Sequence, residues 1–322
     1  MQNQSQLLVV KNLKTYFPSG KTWFGKQKYI KAVDGVSLHI NRNEIIGLVG
    51  ESGSGKTTLG RSILRLTASN NGEINYKGNN ILALKGKALR TIRKEIQLIF
   101  QDPYASLSPR LQIRKLIAEP LLLHNIVPEA MVDQRVSELL KEVGLENYFK
   151  DRYPHEMSGG QRQRIAIARV LALQPELIIA DEPVSALDVS VTAQILNLLK
   201  EIQKKNGMSM LFISHDLKVI AHMADRILVM YAGHIVEEAT TQDLLTSPLH
   251  PYTKLLIASM PSYENRNSIR KINQQKTSDQ QASVEKGCPF VARCAEAQSV
   301  CKQSNPQIKE SKRNRFVACH FN

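Results

Sequence analysis

The chain has 322 residues, 42% hydrophobic and 22% charged, with a formal net charge of +14. That length exceeds one small domain and suits a full domain with an appendage, while the composition excludes a disordered or fibrous chain. No apolar run approaches the roughly 18 residues a membrane-spanning helix needs, and MQNQSQLLVV lacks the basic and apolar regions of a secretory signal, so a cytoplasmic protein is expected.

Residues 1–33 hold six lysines and no acid. From Leu7 to Ile40, short alternating apolar runs broken by Pro18, Gly20 and Gly25 read as edge strands and a loop. EIIGLVG at Glu44–Gly50 reads as a buried strand entering a glycine-rich turn, and Thr57–Leu66 as the helix that follows. Gly50, Glu51, Ser52, Gly53, Ser54, Gly55, Lys56 and Thr57 fit G-x-x-x-x-G-K followed by Ser or Thr. Glycines let successive N–H groups turn toward phosphate oxygens, and the helix adds its positive N-terminal end. Lys56 is placed to neutralise the β- and γ-phosphates, the Thr57 hydroxyl to ligate Mg²⁺, and Thr58 completes the binding segment.

Residues 86–157 read as mostly helical, punctuated by Pro103, Pro109, Pro120 and Pro154. Ser158, Gly159, Gly160 and Gln161 then open a helix expected to run to Pro175. Ser158 suits its N-cap, and the two glycines expose N–H groups, so this is a second candidate anion site. Leu177–Ala180 and Met210–Ile213 are short and wholly apolar, as central parallel strands are. Asp181 ends the first of these and is expected to hold Mg²⁺ through water. Glu182 follows; side chains alternate along an extended strand, but a turn at the strand's end can aim Glu182 at the γ-phosphate, to position or deprotonate the attacking water.

After Pro261 the composition turns polar and reads as a linker to about 286. Residues 261–322 carry eleven Lys/Arg against five Asp/Glu, so the two ends hold +12 of the +14 charge. Such ends read as solvated faces, or as attraction to an anionic leaflet, rather than as a nucleic-acid stripe. All four cysteines, Cys288, Cys294, Cys301 and Cys319, lie after Gly287. Clustered cysteines in a cytosolic chain suggest a metal more than a disulfide. Zinc sites usually show pairs two to four residues apart, which are missing here; wider spacing suits an iron–sulfur cluster of the 4Fe-4S type. Zinc, and free thiols packed as small hydrophobes, remain alternatives.

MSGGQ before RQRIAIARVLAL resembles the signature loop of ATP-binding-cassette (ABC) proteins. The resemblance implies that Ser158, Gly159, Gly160 and Gln161 reach across a dimer to the γ-phosphate of ATP held by the other subunit. It extends to Gln101 in LIFQDP, similar to the Q-loop glutamine that contacts Mg²⁺ or water and senses the transmembrane partner. It includes Ser185 to Asp188, similar to the D-loop, and His215 in FISHD, similar to the switch histidine on the γ-phosphate. Phe17 sits where the family stacks an aromatic on adenine, with Tyr16 as the substitute. QDPYASLSPR, AEPL, RYPHEMSGGQRQR and SPLHPYTKLL resemble ATPase subunits of oligopeptide and dipeptide importers, a subfamily that includes nickel and glutathione importers. Met157 stands where Leu is commoner, a volume-conserving change.

The resemblance covers roughly residues 6–260 and implies an α/β fold. What it implies is an ABC-type P-loop nucleotide-binding domain over 1–260, with a mixed-sheet core and a helical subdomain at about 86–160. A small C-terminal cysteine-bearing extension follows at 287–322, of a kind that holds a 4Fe-4S cluster in some members. Expected partners are two transmembrane permease subunits, a second, related ATPase subunit and an extracellular substrate-binding protein, with no nucleic acid. The chain is expected to sit peripherally on the cytoplasmic face of the membrane. A translation-type cassette ATPase would carry two tandem cassettes, and a repair type a long coiled coil; one phosphate loop, one signature and no sustained heptads oppose both. A non-catalytic subunit would have lost Lys56, Asp181, Glu182 or His215, and all four are present.

Overall fold

The computed structural model describes residues 6–21, 27–260, 287–312 and 314–322; the expected linker at 261–286 lies outside them. Strands β1 (Gln6–Lys21) and β2 (Gln27–Asn41) pair antiparallel. With β4 (Asn71–Tyr76) and β5 (Asn79–Asn80) they make a four-stranded sheet ordered β2-β1-β4-β5. β1 is therefore an interior strand, not the edge its broken apolar pattern suggested.

The larger sheet begins at β3 (Ile45–Val49), which leads through the glycine-rich turn into α1 (Lys56–Ile63). The helix thus ends three residues short of the predicted Leu66. The span expected to be helical contains α2 (Gly86–Glu95), α3 (Pro103–Ser106), α4 (Ile113–Leu123) and α5 (Val132–Glu142). It also contains a strand that the sequence reading missed, β6 (Ile96–Ile99), with all but Gln97 buried. IQLI is too short to show a period, and its partner is remote: it runs parallel to β7 (Leu177–Asp181). Between them runs α6 (Gly159–Leu171), and after β7 come α7 (Val189–Asn206), β8 (Ser209–Ser214), α8 (Leu217–Met223), β9 (Arg226–Tyr231) and β10 (His234–Thr240).

The central strands read as unbroken apolar runs because each feeds two cores. Met210 and Phe212 of β8 pack with α4 to α7 on one face, while Leu211 and Ile213 pack with α1 and the four-stranded sheet on the other. Burying one such side chain contributes about 1.5–3 kcal/mol. Gly60 of α1 lets that helix lie close on the sheet: a Cβ there would stand 3.1 Å from Ile179 and from Ile213.

The C-terminal residues join this sheet. After α9 (Thr241–Thr246) and α10 (Pro251–Ala258), the cysteine-bearing segment contributes α11 (Ser299–Gln303), β11 (Lys309–Lys312) and β12 (Arg315–Val317). β12 pairs antiparallel with β10, giving eight strands in the order β11-β12-β10-β9-β3-β8-β7-β6. Buried Glu237 of β10 anchors the junction. It accepts from the backbone N–H groups of Leu249 and His250, both at 2.8 Å, and faces the buried Arg315 guanidinium at 3.9 Å.

Candidate active site

Four neighbouring parallel strands, β3, β8, β7 and β6, end side by side, and a different sequence motif leaves each carboxyl end. The register makes those ends level: Val49 pairs with Ser214, Ile213 with Asp181, and Ala180 with Ile99. The phosphate-loop residues follow β3, His215 follows β8, Asp181 and Glu182 close β7, and Gln101 follows β6. Ligands of open α/β sheets bind at this end. The resulting cleft, about 580 Å³, is lined by Glu51, Ser52, Gly53, Gly55, Lys56, Thr57, Thr58, Gln101, Glu182 and His215, together with Ala32 and Leu256.

Two of the loop's glycines, Gly50 and Gly55, are required by space, and Gly55 by its turn as well. Gly55 has φ +106°, and a Cβ there would fall 2.0 Å from the Ala32 carbonyl oxygen. At Gly50 a Cβ would fall 2.1 Å from the Met230 carbonyl oxygen. Lys56 is buried and donates to the carbonyls of Gly50 at 2.8 Å and Glu51 at 2.9 Å. Burial lowers its pKa; Glu182, Asp181 and Glu51 oppose that shift.

Thr57 Oγ1 donates to Asp181 Oδ1 at 2.9 Å. Burial raises the Asp181 pKa, partly offset by the Thr57 hydroxyl. A buried carboxylate beside a hydroxyl is a donor set of hard oxygens, which suits Mg²⁺. Glu182 has φ +47°, a left-handed conformation uncommon for a side chain with a Cβ. That reversal turns it from the strand direction into the cleft, as the sequence reading required. One carboxylate oxygen accepts from Gln101 Nε2 at 3.1 Å, and the other lies 3.2 Å from His215 Nδ1.

Ser158 is the N-cap of α6: its hydroxyl accepts from the Gln161 N–H at 3.3 Å, while the Gln161 carboxamide accepts from the Ser158 N–H at 2.9 Å. The return bond from Gln161 went unread, although S-x-x-Q is a capping-box pattern. Gly160 packs against the start of α7, where a Cβ would fall 2.4 Å from Val191 Cγ1. Asp188 caps α7 by accepting from the Val191 N–H at 2.9 Å. None of Ser158, Gly159, Gly160, Gln161 and Asp188 lines the cleft that Lys56 lines. Phe17 does not line it either and is 40% exposed; Tyr16 donates its hydroxyl to Asp34 at 2.5 Å.

Residues 33–185 match the ABC transporter family, and residues 236–301 match the oligopeptide/dipeptide transporter C-terminal region. The chain is 47% identical to the oligopeptide transport ATP-binding protein AppF of Bacillus subtilis, covering 99% of this chain and 98% of that protein. It belongs to the ABC transporter ATP-binding family. The oligopeptide transport ATP-binding protein OppF of Salmonella typhimurium is 44% identical, with 99% and 97% covered. Among solved structures, the ATP-binding cassette MJ0796, a dimer in a post-hydrolysis state bound to ADP and Pi, is 30% identical with a TM-score of 0.65, over 73% of this chain and 98% of that one. An ABC ATPase works with ATP and Mg²⁺, and the cleft supplies groups of the right kind for both. Among the described residues, no helix is long and apolar enough to cross a membrane.

The four cysteines of this ABC subunit are free, and all line one small cavity of about 20 Å³ together with His250, Phe290 and His320. Burial raises the Cys288 and Cys294 thiol pKa values. Among the described residues, no three His, Cys, Asp or Glu side chains converge as ligands of a metal ion, so the 4Fe-4S cluster expected on Cys288, Cys294, Cys301 and Cys319 finds no support here.

One relationship was outside any motif. Arg293, beside Cys294, forms a bidentate pair with Glu51 of the phosphate loop, Nη1 to Oε2 at 2.8 Å and Nη2 to Oε1 at 2.9 Å. The sequence reading treated the cysteine segment as standing apart from the ATP motifs, whereas in the fold it touches one.

Proposed function

We propose that this chain binds and hydrolyses ATP to energise import of oligopeptides or dipeptides through a membrane permease. The observation that carries it is the convergence of four loops, bearing Lys56, Gln101, Glu182 and His215, on one cleft, in a chain matching peptide-transport relatives over nearly its whole length.

In this reading Gly50 to Thr58 cradle the phosphates and Lys56 offsets their charge. Thr57 and Asp181, with Gln101, would hold Mg²⁺, which would supply charge neutralisation at the phosphates. Glu182 orients the attacking water and accepts its proton. Gln101 donates to its carboxylate, and His215, on the other side of that carboxylate, donates to the γ-phosphate. Phe17 stacks on adenine. Ser158 to Gln161 and Asp188 act on the nucleotide of a second, related ATPase subunit, which is why they stand outside this chain's own cleft.

Two permease subunits and an extracellular substrate-binding protein complete the assembly, with this chain peripheral on the cytoplasmic face. A second cleft of about 320 Å³ supports the permease contact. It is lined by Phe100, Glu119, Leu123, His124 and Arg169, and Phe100 adjoins Gln101, so a permease segment seated there reaches the catalytic groups through one residue. By domains, 1–260 is the ATPase, with helices near 86–160 as a subdomain, and 287–322 is the cysteine-bearing extension. For that extension the reading is a 4Fe-4S cluster held by Cys288, Cys294, Cys301 and Cys319. Its support is one cavity lined by four thiols. Among the described residues no three His, Cys, Asp or Glu side chains converge on a metal ion, which counts against zinc and against a cluster alike, so the reading rests on the shared lining and on the resemblance. The cluster would act as a staple for a segment too small to supply its own core.

Proteoliposomes holding the permeases, the partner ATPase, the binding protein and this chain test the proposal. They should accumulate labelled short peptides with ATP, and lose that uptake with Lys56→Ala. Accumulation of nickel or glutathione without peptide would overturn the cargo assignment.

A further inference from the structure

We propose that Arg293 of the cysteine-bearing segment is a positioning residue of the nucleotide site: it holds Glu51 and neutralises it, so that the phosphate loop accepts a polyphosphate. The inference rests on the ATP-binding reading of the cleft and adds a residue to it from outside the ATP motifs.

Glu51 is the first variable position of the phosphate loop and lines the nucleotide cleft. Its carboxylate is a negative charge where the ligand brings several more. Within a few ångströms such charges repel by kilocalories in a partly dehydrated site. Arg293 meets that carboxylate with both terminal nitrogens, the fork geometry in which an arginine is most selective for a carboxylate. The pair spans 242 positions, so only the fold brings it together.

Arg293 is braced for this. It ends the short turn Val291–Arg293, with its N–H donating to the Phe290 carbonyl at 3.0 Å. Its guanidinium lies 5.8 Å from the ring centres of both Tyr231 and Phe290. Phe290 is buried and packs against Tyr252, whose hydroxyl accepts from the Glu51 backbone N–H at 2.9 Å. Glu51 is thus held at its side chain by the C-terminal segment and at its backbone by α10. The turn bearing Arg293 lies between Cys288 and Cys294, and Cys288 N–H donates to the Cys301 carbonyl at 2.8 Å. Whatever fixes the cysteines therefore also fixes the residue that reaches the phosphate loop.

The test measures equilibrium binding of a fluorescent ATP analogue with Mg²⁺ to the full chain, for Arg293→Met, Arg293→Lys, Glu51→Gln and the Arg293→Met/Glu51→Gln pair. Arg293→Met should weaken binding about three- to tenfold, as expected for a partly exposed but bidentate pair. Arg293→Lys should recover part of the loss. In the Glu51→Gln background, Arg293→Met should cause no further loss, because no charge is left to neutralise. A purely structural staple would show equal losses in both backgrounds, and that result overturns the proposal. So would unchanged affinity in Arg293→Met with the fold intact by circular dichroism. If the unmodified chain fails to bind the analogue, the ATP reading itself fails, and the two failures are distinct.

Discussion

The hydroxyl of Thr57, in the first turn of α1, donates to the carboxylate of Asp181, at the end of β7, across 124 positions of chain and 2.9 Å of space. Burial raises the Asp181 pKa from its ordinary value, so the folded protein resists ionising it. A carboxyl raised on folding contributes stability at low pH that is lost as pH rises through its folded pKa. Replacing the carboxyl by a carboxamide removes that cost of ionisation. Asp181→Asn should raise the melting temperature of the nucleotide-free protein by roughly 1–3 °C and abolish most of the further rise that Mg-ATP gives the unmodified protein. Differential scanning fluorimetry with and without Mg-ATP checks both; an equal Mg-ATP shift in the variant would remove Asp181 from the cation site.

Ser158→Arg puts a long cation where the α6 N-cap hydroxyl accepts from Gln161. Ser158 lies outside this chain's own cleft, so its ATP affinity should stay within about twofold. Turnover by the assembled transporter should fall by at least about tenfold. Photolabelling each ATPase subunit separately checks the assignment: loss confined to this chain's own nucleotide would show that the signature acts within the subunit rather than across it.

His250 makes the C-terminal segment acid-sensitive. It is buried, and its Nδ1 accepts from the Tyr252 N–H at 3.0 Å, capping α10. Burial, reinforced by Lys254, lowers its pKa to about 4. The unfolded chain takes up a proton near pH 6.5 while the folded chain resists until about 4, so stability falls as pH drops through that window and levels off below it. The full loss is on the order of 3 kcal/mol. His250→Asn keeps a capping acceptor and removes the titration, so its urea midpoint should vary less between pH 6.5 and 4. A parallel pH profile in the variant would place the acid sensitivity elsewhere.

For the cysteines, protein purified without oxygen should be brown, with broad absorbance near about 400 nm and close to four irons per chain. Cys294→Ser should lose the iron. Zinc at one equivalent, or no metal in oxygen-free preparations, would overturn the cluster.

The parts of this site legible in the sequence were those in which chemistry and chain order coincide. Gly50 to Thr57 announced a strand, a turn and a helix, and the apolar runs before Asp181 and His215 announced strands that end at the groups proposed as catalytic. Glu182 required a reversal that alternation alone would have denied, and its φ of +47° supplies one. What escaped was set by distant pairing. Ile96–Ile99 is a strand because β7 lies beside it, and β12 is a sheet strand because β10 has a free edge for it. Arg293 carried no local signal, since nothing near it in the chain resembles an ATP motif. The bond from Gln161 back to Ser158 was readable as a capping box and was passed over because the family motif explained the same residues.

The central claim is that Glu182, held between Gln101 and His215, performs hydrolysis at a cleft that binds ATP without it. Steady-state ATP turnover by the assembled transporter at saturating Mg-ATP, measured beside equilibrium ATP binding, tests this most directly. Glu182→Gln keeps the size of the side chain and removes its charge, so affinity should remain within about threefold while turnover falls by at least about tenfold. Turnover near that of the unmodified protein, or a fall matched by an equal loss of affinity, would contradict it.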